Sequence, residues 1–244
     1  MKGEFFMASY MDFEYEKIND EIRIKKYCGS AKFMNIPSQI ENLPVTEIGD
    51  CAFSDCNSLT SITMPDSVKE MGLNSFEHYK ALTEISIPNS VIEIGMCTFA
   101  ACVSLKNISL SESLKEINIG TFLGCTSLTN IKFPNSVTGI DLSAFEECSS
   151  LKSIDIPDSV TYVVECAFYR CSSLTSVTIS NSLTKIATWV FKEFISLTNV
   201  IIPASVTEIE FGAFENCSSL ENITIPNSIL KLTQMLFGIV NDKV

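Results

Sequence analysis

The sequence is poor in the residues on which most catalytic and metal sites depend. It has one histidine, His78, and one tryptophan, and 19% of its 244 residues are charged. A serine or cysteine nucleophile needs a base that a third group holds in place, and a lone histidine offers one such base at most. No GxSxG, GxGxxG or Walker motif occurs. We therefore expect no enzymatic activity, no catalytic residue and no cofactor.

Positive charge is also scarce, with 17 basic against 29 acidic residues and a net charge of -12. Nucleic-acid affinity comes mostly from neutralising phosphates, so this balance predicts no nucleic-acid partner. No apolar run approaches the roughly 20 residues that span a bilayer, so we expect no membrane insertion. The first residues also lack the apolar centre of a secretory signal, which favours a cytoplasmic location.

What the sequence does contain is a strict internal repeat. Phenylalanine recurs every 23 residues without insertion or deletion, at Phe53, Phe76, Phe99, Phe122, Phe145, Phe168, Phe191, Phe214 and Phe237. Leucine follows the same spacing from Leu59 to Leu220. A period of this length is typical of solenoids and related arrays. We divide the chain into an N-terminal hairpin cap with a first strand (1–44), eight repeats (45–228) and a partial ninth repeat (229–244).

Each repeat predicts a short strand, which places eight strands near residues 61–64 and every 23 residues onward. The segment LTSITM (59–64) alternates apolar and polar residues at its end and has a β-branched bias, and Pro65 or its equivalent ends the strand. Apolar residues over 48–56 are spaced by three and four, which fits one or two turns of α-helix or a 3₁₀ turn. The sequence therefore predicts an α/β repeat solenoid with a parallel, concave β-sheet and short helical or 3₁₀ convex segments.

The columns resemble a known family. The segment LTSITMPDSVKEMGLNSF (59–76) and its copies are similar to the BspA-like leucine-rich repeat pattern LxxLxLPxxLxxIgxxaFxxC, and the resemblance covers 33–237. MNIPSQIENLPVTEIGDCAF (34–53) resembles the longer first repeat of that class. The resemblance implies a surface antigen of bacteria or protists that takes part in cell adhesion or host-protein recognition, and hence a location at the cell surface. The alternating segment around Asn19-Asp20 predicts a capping β-hairpin.

Nine of the ten cysteines fall on two columns of the repeat, the sixth position (Cys51, Cys97, Cys166) and the eleventh (Cys56, Cys102, Cys125, Cys148, Cys171, Cys217). Tyr79 and Phe194 replace cysteine in the eleventh column, which indicates that the cysteines there pack in the core rather than form disulfide bonds. We expect a reduced core ladder, with disulfides between neighbouring repeats as the alternative. Because the paired cysteines are five residues apart and His78 is isolated, we predict no metal site.

The outward face of the predicted strands is the candidate binding site, because residues beside the buried Ile62-type position point away from the core. It carries small polar residues and a few distinctive ones. The candidate residues are Glu84, Asn107, Asn130, Lys132, Asp155, Thr178, Asn199, Ile201 and Asn222. The partner class is a protein, host or matrix proteins included, or a glycan. The alternative is that this lattice only keeps the solenoid soluble.

Two other functional hypotheses remain at this point. The first is a structural or assembly protein that associates through its edges and ends, and the second is binding of ice or mineral by the Ser/Thr lattice. A column of apolar residues at the fifth repeat position, Leu73, Met96, Ile119 and Leu142, bears on the first. If these side chains form an exposed ridge, they predict a weak homodimer. If they pack beneath the adjacent repeat instead, they only widen the core.

Overall fold

The computed structural model describes residues 12–233. Its strands, in chain order, are β1 (Phe13–Ile18), β2 (Glu21–Tyr27), β3 (Phe33–Asn35), β4 (Gln39–Ile40), β5 (Leu43–Ile48), β6 (Ser61–Thr63), β7 (Glu70–Met71), β8 (Glu84–Ser86), β9 (Glu93–Ile94), β10 (Asn107–Ser109), β11 (Glu116–Ile117), β12 (Gly139–Ile140), β13 (Ser153–Asp155), β14 (Tyr162–Val163), β15 (Ser176–Thr178), β16 (Lys185–Ile186), β17 (Asn199–Ile201), β18 (Glu208–Ile209), β19 (Asn222–Thr224) and β20 (Lys231–Leu232).

An antiparallel hairpin starts the described part of the chain. β1 and β2 turn at Asn19 and Asp20, which both have positive φ angles (48° and 62°). Asparagine and aspartate tolerate this left-handed backbone better than most residues, which suits a two-residue hairpin loop. β2 then pairs parallel with β5, and the Tyr27 ring stacks on Phe53 at 5.7 Å. The hairpin therefore extends both the backbone ladder and the core beyond the first repeat.

The repeats stack through two sets of parallel strands. The three-residue strands (β3, β6, β8, β10, β13, β15, β17 and β19) present what we call the strand face, and their middle residues point into the core. The two-residue strands, from β7 to β20, form a second ladder that begins on β5. The second ladder is not predictable from the sequence pattern, because a two-residue strand leaves too little alternation of apolar and polar residues.

Seven of the eight expected strands are present, and the fourth is not. Residues 130–132 are not a strand, although the Thr129 amide still reaches the Lys106 carbonyl at 3.3 Å. The Lys152 amide in turn donates to the Thr129 carbonyl at 3.2 Å, but residues 130–132 themselves form no backbone hydrogen bond to either neighbouring repeat. The prediction of eight strands is therefore wrong at this repeat. The segment is stacked like the others, but a β-strand also requires backbone hydrogen bonds to a neighbouring strand.

The convex segments are successive turns, so the expectation of short helical or 3₁₀ segments is wrong. Residues 12–233 contain no α-helix. The sixth and tenth repeat positions hold left-handed φ angles, such as 54° at Cys51 and 58° at Asp55, and a right-handed helix does not tolerate these. Alternate amides then point to the next repeat: Cys51 N donates to Leu73 O at 2.9 Å, and Phe53 N to Ser75 O at 2.7 Å. We call this third hydrogen-bonded ladder the turn side.

The phenylalanine column forms the centre of the core. The eight members from Phe53 to Phe214 are at most 1% exposed, which confirms the predicted register for them, and Phe237 lies outside the described residues. Neighbouring rings from Phe53 to Phe214 lie between 5.0 and 6.2 Å apart, and most are parallel within about 20°. A single repeat could not bury its own phenylalanine ring, and the rings of the neighbouring repeats cover it on both sides.

Serine interrupts the second ladder at two places. In most repeats proline follows the strand, but Ser111 and Ser180 stand there instead, and both are fully buried. The Ser111 hydroxyl donates to the Val91 carbonyl at 2.6 Å, and Ser180 donates to Val160 at 2.7 Å. Directly after these repeats the second ladder stops, between β9 and β11 and between β14 and β16. The ladder is thereby divided into three blocks, each with three repeat strands.

Candidate binding surface

Parallel pairing places equivalent residues of the strand face directly beside each other. Asn107 lies opposite Glu84, and Asp155 lies opposite Thr178. At the C-terminal end Ile201 lies opposite Thr224. Since neighbouring strands are ~4.8 Å apart, each repeat contributes two outward side chains to a regular lattice.

The structure exposes every residue that the sequence assigned to this surface. The exposed residues are Glu84, Asn107, Asn130, Lys132, Asp155, Thr178, Asn199, Ile201 and Asn222. Ile201 is 71% exposed, which is unusual for a β-branched apolar side chain and gives the face one hydrophobic point. Whether these residues bind a partner remains a prediction.

The charged residues of the strand face are free to meet a partner. Glu84, Lys132 and Asp155 form no ion pair within residues 12–233, even though Lys132 and Asp155 occupy the same column of adjacent repeats. The amides at the C-terminal end bond to each other instead: Asn222 Nδ2 donates to Asn199 Oδ1 at 2.8 Å. Charge on this face is therefore concentrated at its N-terminal end and its middle.

A hollow of about 590 Å³ lies on the strand face between β6, β8 and β10. Small polar residues line it together with apolar residues of the same strands such as Ile62 and Ile85, and the acidic residues Glu84 and Asp66 also line it. Asp66 is not among the residues predicted from the sequence; it follows the strand-ending Pro65, and the loop places it beside the strand face. The signal was available, since the column after the proline is polar in most repeats. This end of the face can accept a cationic group.

The cysteine ladder serves the core, and all ten thiols are free. Each fully buried thiol donates to the backbone carbonyl of the phenylalanine in the preceding repeat: Cys102 to Phe76, Cys148 to Phe122, Cys171 to Phe145 and Cys217 to Phe191 at 3.2 Å, and Cys125 to Phe99 at 3.1 Å. Cysteine fits because it is small and apolar yet gives the buried carbonyl a weak donor.

Burial also makes these thiols poor nucleophiles. It raises the pKa of the Cys56 thiol to about 11, and the pKa of Cys102 and Cys217 to about 12. Desolvation raises the pKa of Cys125 and Cys148 well above the ordinary thiol value. The thiolate is the form that reacts and binds metal, so we expect the cysteines of the eleventh column to be unreactive near neutral pH. Within residues 12–233 no three His, Cys, Asp or Glu side chains converge on a metal-sized space.

The apolar fifth-position column is only partly exposed. Leu73 is 44% exposed and Met96 is 49% exposed, whereas Ile119 and Leu142 are half-buried. The four residues therefore do not form one uniformly exposed ridge, because exposure is greater at Leu73 and Met96 than at Ile119 and Leu142. No helix in the described part of the chain is both long and apolar enough to cross a bilayer.

Comparisons with known proteins agree with this architecture. The BspA type leucine rich repeat region matches in six copies over residues 21–152 and 138–241. No curated protein sequence matches significantly. Among solved structures, the chain is similar to a leucine rich repeat protein of T. pallidum, with 28% identity, a TM-score of 0.61, and coverage of 88% of this chain and 90% of that one.

A second similar structure is a leucine rich cell surface protein from Faecalibacterium prausnitzii. It is 25% identical with a TM-score of 0.59, and the match covers 94% of this chain and 79% of that one. The family match spans most of the sequence, the eight described phenylalanines occupy one column, and the strands stack in parallel with a 23-residue period. The chain therefore belongs to the BspA-type leucine-rich repeat family.

Proposed function

We propose that this chain is a non-enzymatic module that binds a protein partner through the strand face. Leucine-rich repeat proteins generally mediate protein interactions. The observation that carries the proposal is the presence of unpaired, distinctive side chains on an otherwise uniform lattice. Glu84, Lys132 and Ile201 stand out among serine, threonine and asparagine, while the core beneath them hardly varies. Solubility alone needs no such departures.

The chemistry of the face indicates what the partner must offer. A basic side chain fits the hollow near Glu84 and Asp66, because that hollow holds two carboxylates. An acidic group fits Lys132, which lies two repeats, or roughly 10 Å, along the stack from Glu84. An apolar side chain fits the exposed Ile201. This sequence of groups suits a polypeptide better than a glycan, which lacks basic and apolar side chains.

The test is an affinity capture that uses the full chain and two matched variants as bait. The strand-face variant changes four residues to those common in their columns: Glu84→Ser, Lys132→Ser, Asp155→Ser and Ile201→Thr. The control variant makes the same types of change at exposed positions elsewhere: Glu112→Ser, Lys80→Ser, Glu165→Ser and Val103→Thr. Both variants shift the net charge equally.

We expect a protein captured by the wild type and the control to be lost with the strand-face variant, while all three baits unfold at similar temperatures. Capture that survives the strand-face changes but fails with the control would assign binding to another surface. A captured glycan with no protein would overturn the partner class. Association of the chain only with itself would favour the structural alternative.

A further inference from the structure

We propose a second interaction surface on this protein, which takes a cationic polypeptide segment that also carries apolar side chains. The surface lies on the second ladder of the first block and consists of Glu70, Glu93, Leu73, Met96 and Ile92. We call it the acidic-apolar patch. It is separate from the strand face, so it stands or falls independently of the function proposed above.

A column of in-register glutamates forms the acidic part. β5, β7 and β9 place Glu47 opposite Glu70 and Glu70 opposite Glu93, and Glu116 continues the column. Like charges directly opposite each other on adjacent strands destabilise a sheet. This arrangement therefore works against the fold.

The ends of the glutamate column are compensated, but its middle is not. Arg23 Nε lies 2.7 Å from a Glu47 carboxylate oxygen, and Tyr162 hydrogen-bonds with Glu116. Glu70 and Glu93 are exposed and have no ion pair within residues 12–233. The two central carboxylates thus keep their charge available for a group from outside the chain.

Apolar side chains flank these two carboxylates. Ile92 precedes Glu93 and is 54% exposed, while Leu73 and Met96 follow three residues after the glutamates and are 44% and 49% exposed. Gly72 and Gly95 lie between the glutamates and the apolar residues that follow them. Because glycine has no side chain, the surface is recessed between the carboxylates and the apolar side chains. The absence of Cβ atoms on these glycines also allows close stacking, since a Cβ on Gly95 would lie 2.6 Å from the Gly72 carbonyl carbon.

A hollow of about 330 Å³ continues the patch at the point where the second ladder stops after β9. Ile92, Glu93 and Glu116 line it, and so does Lys115, so that two carboxylates and one ammonium group share the hollow. The backbone there is not paired across the junction, because the Lys115 amide does not bond to the Ile92 carbonyl as equivalent amides do in the same block. The patch thus combines charge, exposed apolar area and a recess.

Charge complementarity selects the occupant. A second copy of this chain would bring the same patch against itself in a two-fold dimer, so that Glu70 and Glu93 would face glutamates, and the chain as a whole carries a net charge of -12. This argues against the homodimer that the apolar column suggested. Lysine or arginine side chains spaced among apolar residues satisfy both the carboxylates and the exposed Leu73 and Met96.

The experiment uses the full chain and three synthetic peptides of equal length, each carrying a photo-cross-linker. One alternates lysine with leucine, one lysine with serine, and one glutamate with leucine. Binding is measured by fluorescence anisotropy, and the cross-linked residues are located by mass spectrometry. The patch variant is Glu70→Gln with Glu93→Gln. The matched control removes the same charge outside both surfaces through Glu112→Gln with Glu165→Gln, two exposed glutamates without an ion pair in the described chain.

We expect the lysine-leucine peptide to bind most tightly and to cross-link around Leu73 and Met96. The patch variant should weaken this binding about tenfold or more, the control should leave it nearly unchanged, and Leu73→Ser with Met96→Ser should also weaken it. The patch variant should in addition unfold at an equal or higher temperature, because it removes repulsion between stacked carboxylates.

Several results would overturn the proposal. Absence of binding by the lysine-leucine peptide, or cross-links on the strand face, would remove the patch as its site. Equal weakening by both charge variants would show attraction to the overall negative charge alone. A concentration-dependent dimer that Leu73→Ser with Met96→Ser abolishes would assign the patch to a second copy.

Discussion

The turn side and the strand face hold the same repeats together in different ways. On the turn side, every junction between neighbouring repeats within residues 45–216 keeps at least two backbone hydrogen bonds, such as Phe145 N to Ala167 O at 2.7 Å. On the strand face the paired strands form separate pairs, and the segment 130–132 is not paired as a strand. The turn side and the core beside it therefore maintain the stack, which leaves the strand face free to carry varied side chains.

The largest effect is expected where the core beside the turn side is emptied. Phe145 is fully buried in mid-stack, between rings at 5.1 and 5.2 Å. Phe145→Ala should lower the free energy of unfolding by about 3–5 kcal/mol, because the cavity cannot be relieved by fraying at an end. Urea unfolding followed by circular dichroism measures it. Val103→Ala, at an exposed position, should cost clearly less, and equal losses would show that the phenylalanine column is not the centre of the core.

A smaller loss is expected in the cysteine ladder. Cys148→Ala should lower the free energy of unfolding by about 1–3 kcal/mol, since it leaves a small void and removes the donor to the Phe122 carbonyl. Cys51→Ala is the control at an exposed position of the turn side and should change stability by less than about 0.5 kcal/mol. Similar losses in both variants would show that the buried thiols are not part of the packing.

The same ladder should resist thiol reagents. Because burial raises the pKa of Cys102 and Cys217 to about 12, the reactive thiolate is rare at pH 8 and increases only as the pH approaches those values. Labelling of native protein at pH 8 should be fastest at the exposed Cys28 and Cys51 and slow in the eleventh column until denaturant is added. Disulfides in protein prepared without reductant would contradict the reduced ladder.

Ser111 tests the interruption of the second ladder. Ser111→Ala should cost about 1 kcal/mol, because the buried Val91 carbonyl loses its hydroxyl donor. Hydrogen exchange should also show faster exchange at Lys115, whose amide is unpaired across the junction, than at Ile92, which bonds to the Lys69 carbonyl at 2.9 Å. Equal protection of both amides would mean that the ladder is continuous there.

The smallest effect is expected on the strand face. The variant Glu84→Ser, Lys132→Ser, Asp155→Ser and Ile201→Thr should change the free energy of unfolding by less than about 0.5 kcal/mol per substitution, since these side chains are exposed and form no ion pairs in the described chain. A loss close to that of Phe145→Ala would reverse the comparison, because the face would then contribute to the stack.

The spacing of the sequence predicted the core well and the backbone between strands poorly. Phe53 and its described equivalents follow from periodicity, because a gapless repeat places identical side chains above one another. The turn side did not follow, since spacings of three and four suit a helix as well as successive turns. Only the left-handed φ angles separate the two, and residues as different as Cys51, Gly120 and Trp189 adopt them at the same position. The polar strand face was predictable from alternation, whereas the Asp66 contribution depended on how a loop folds back.

The serine junctions also indicate how this protein could be shortened. Each junction follows the same short pattern, Ser111-Glu-Ser-Leu114 and Ser180-Asn-Ser-Leu183, in which leucine replaces the valine found at the start of the other complete repeats. Excision of residues 114–182 would join Ser113 to Leu183 and recreate the pattern with the register intact. Both ends of the excised block lie where neighbouring strands of the second ladder are not paired. The three repeats between them can therefore be removed as one unit. Removal of these three repeats together should therefore break fewer backbone hydrogen bonds of the second ladder than removal of one repeat from within a block.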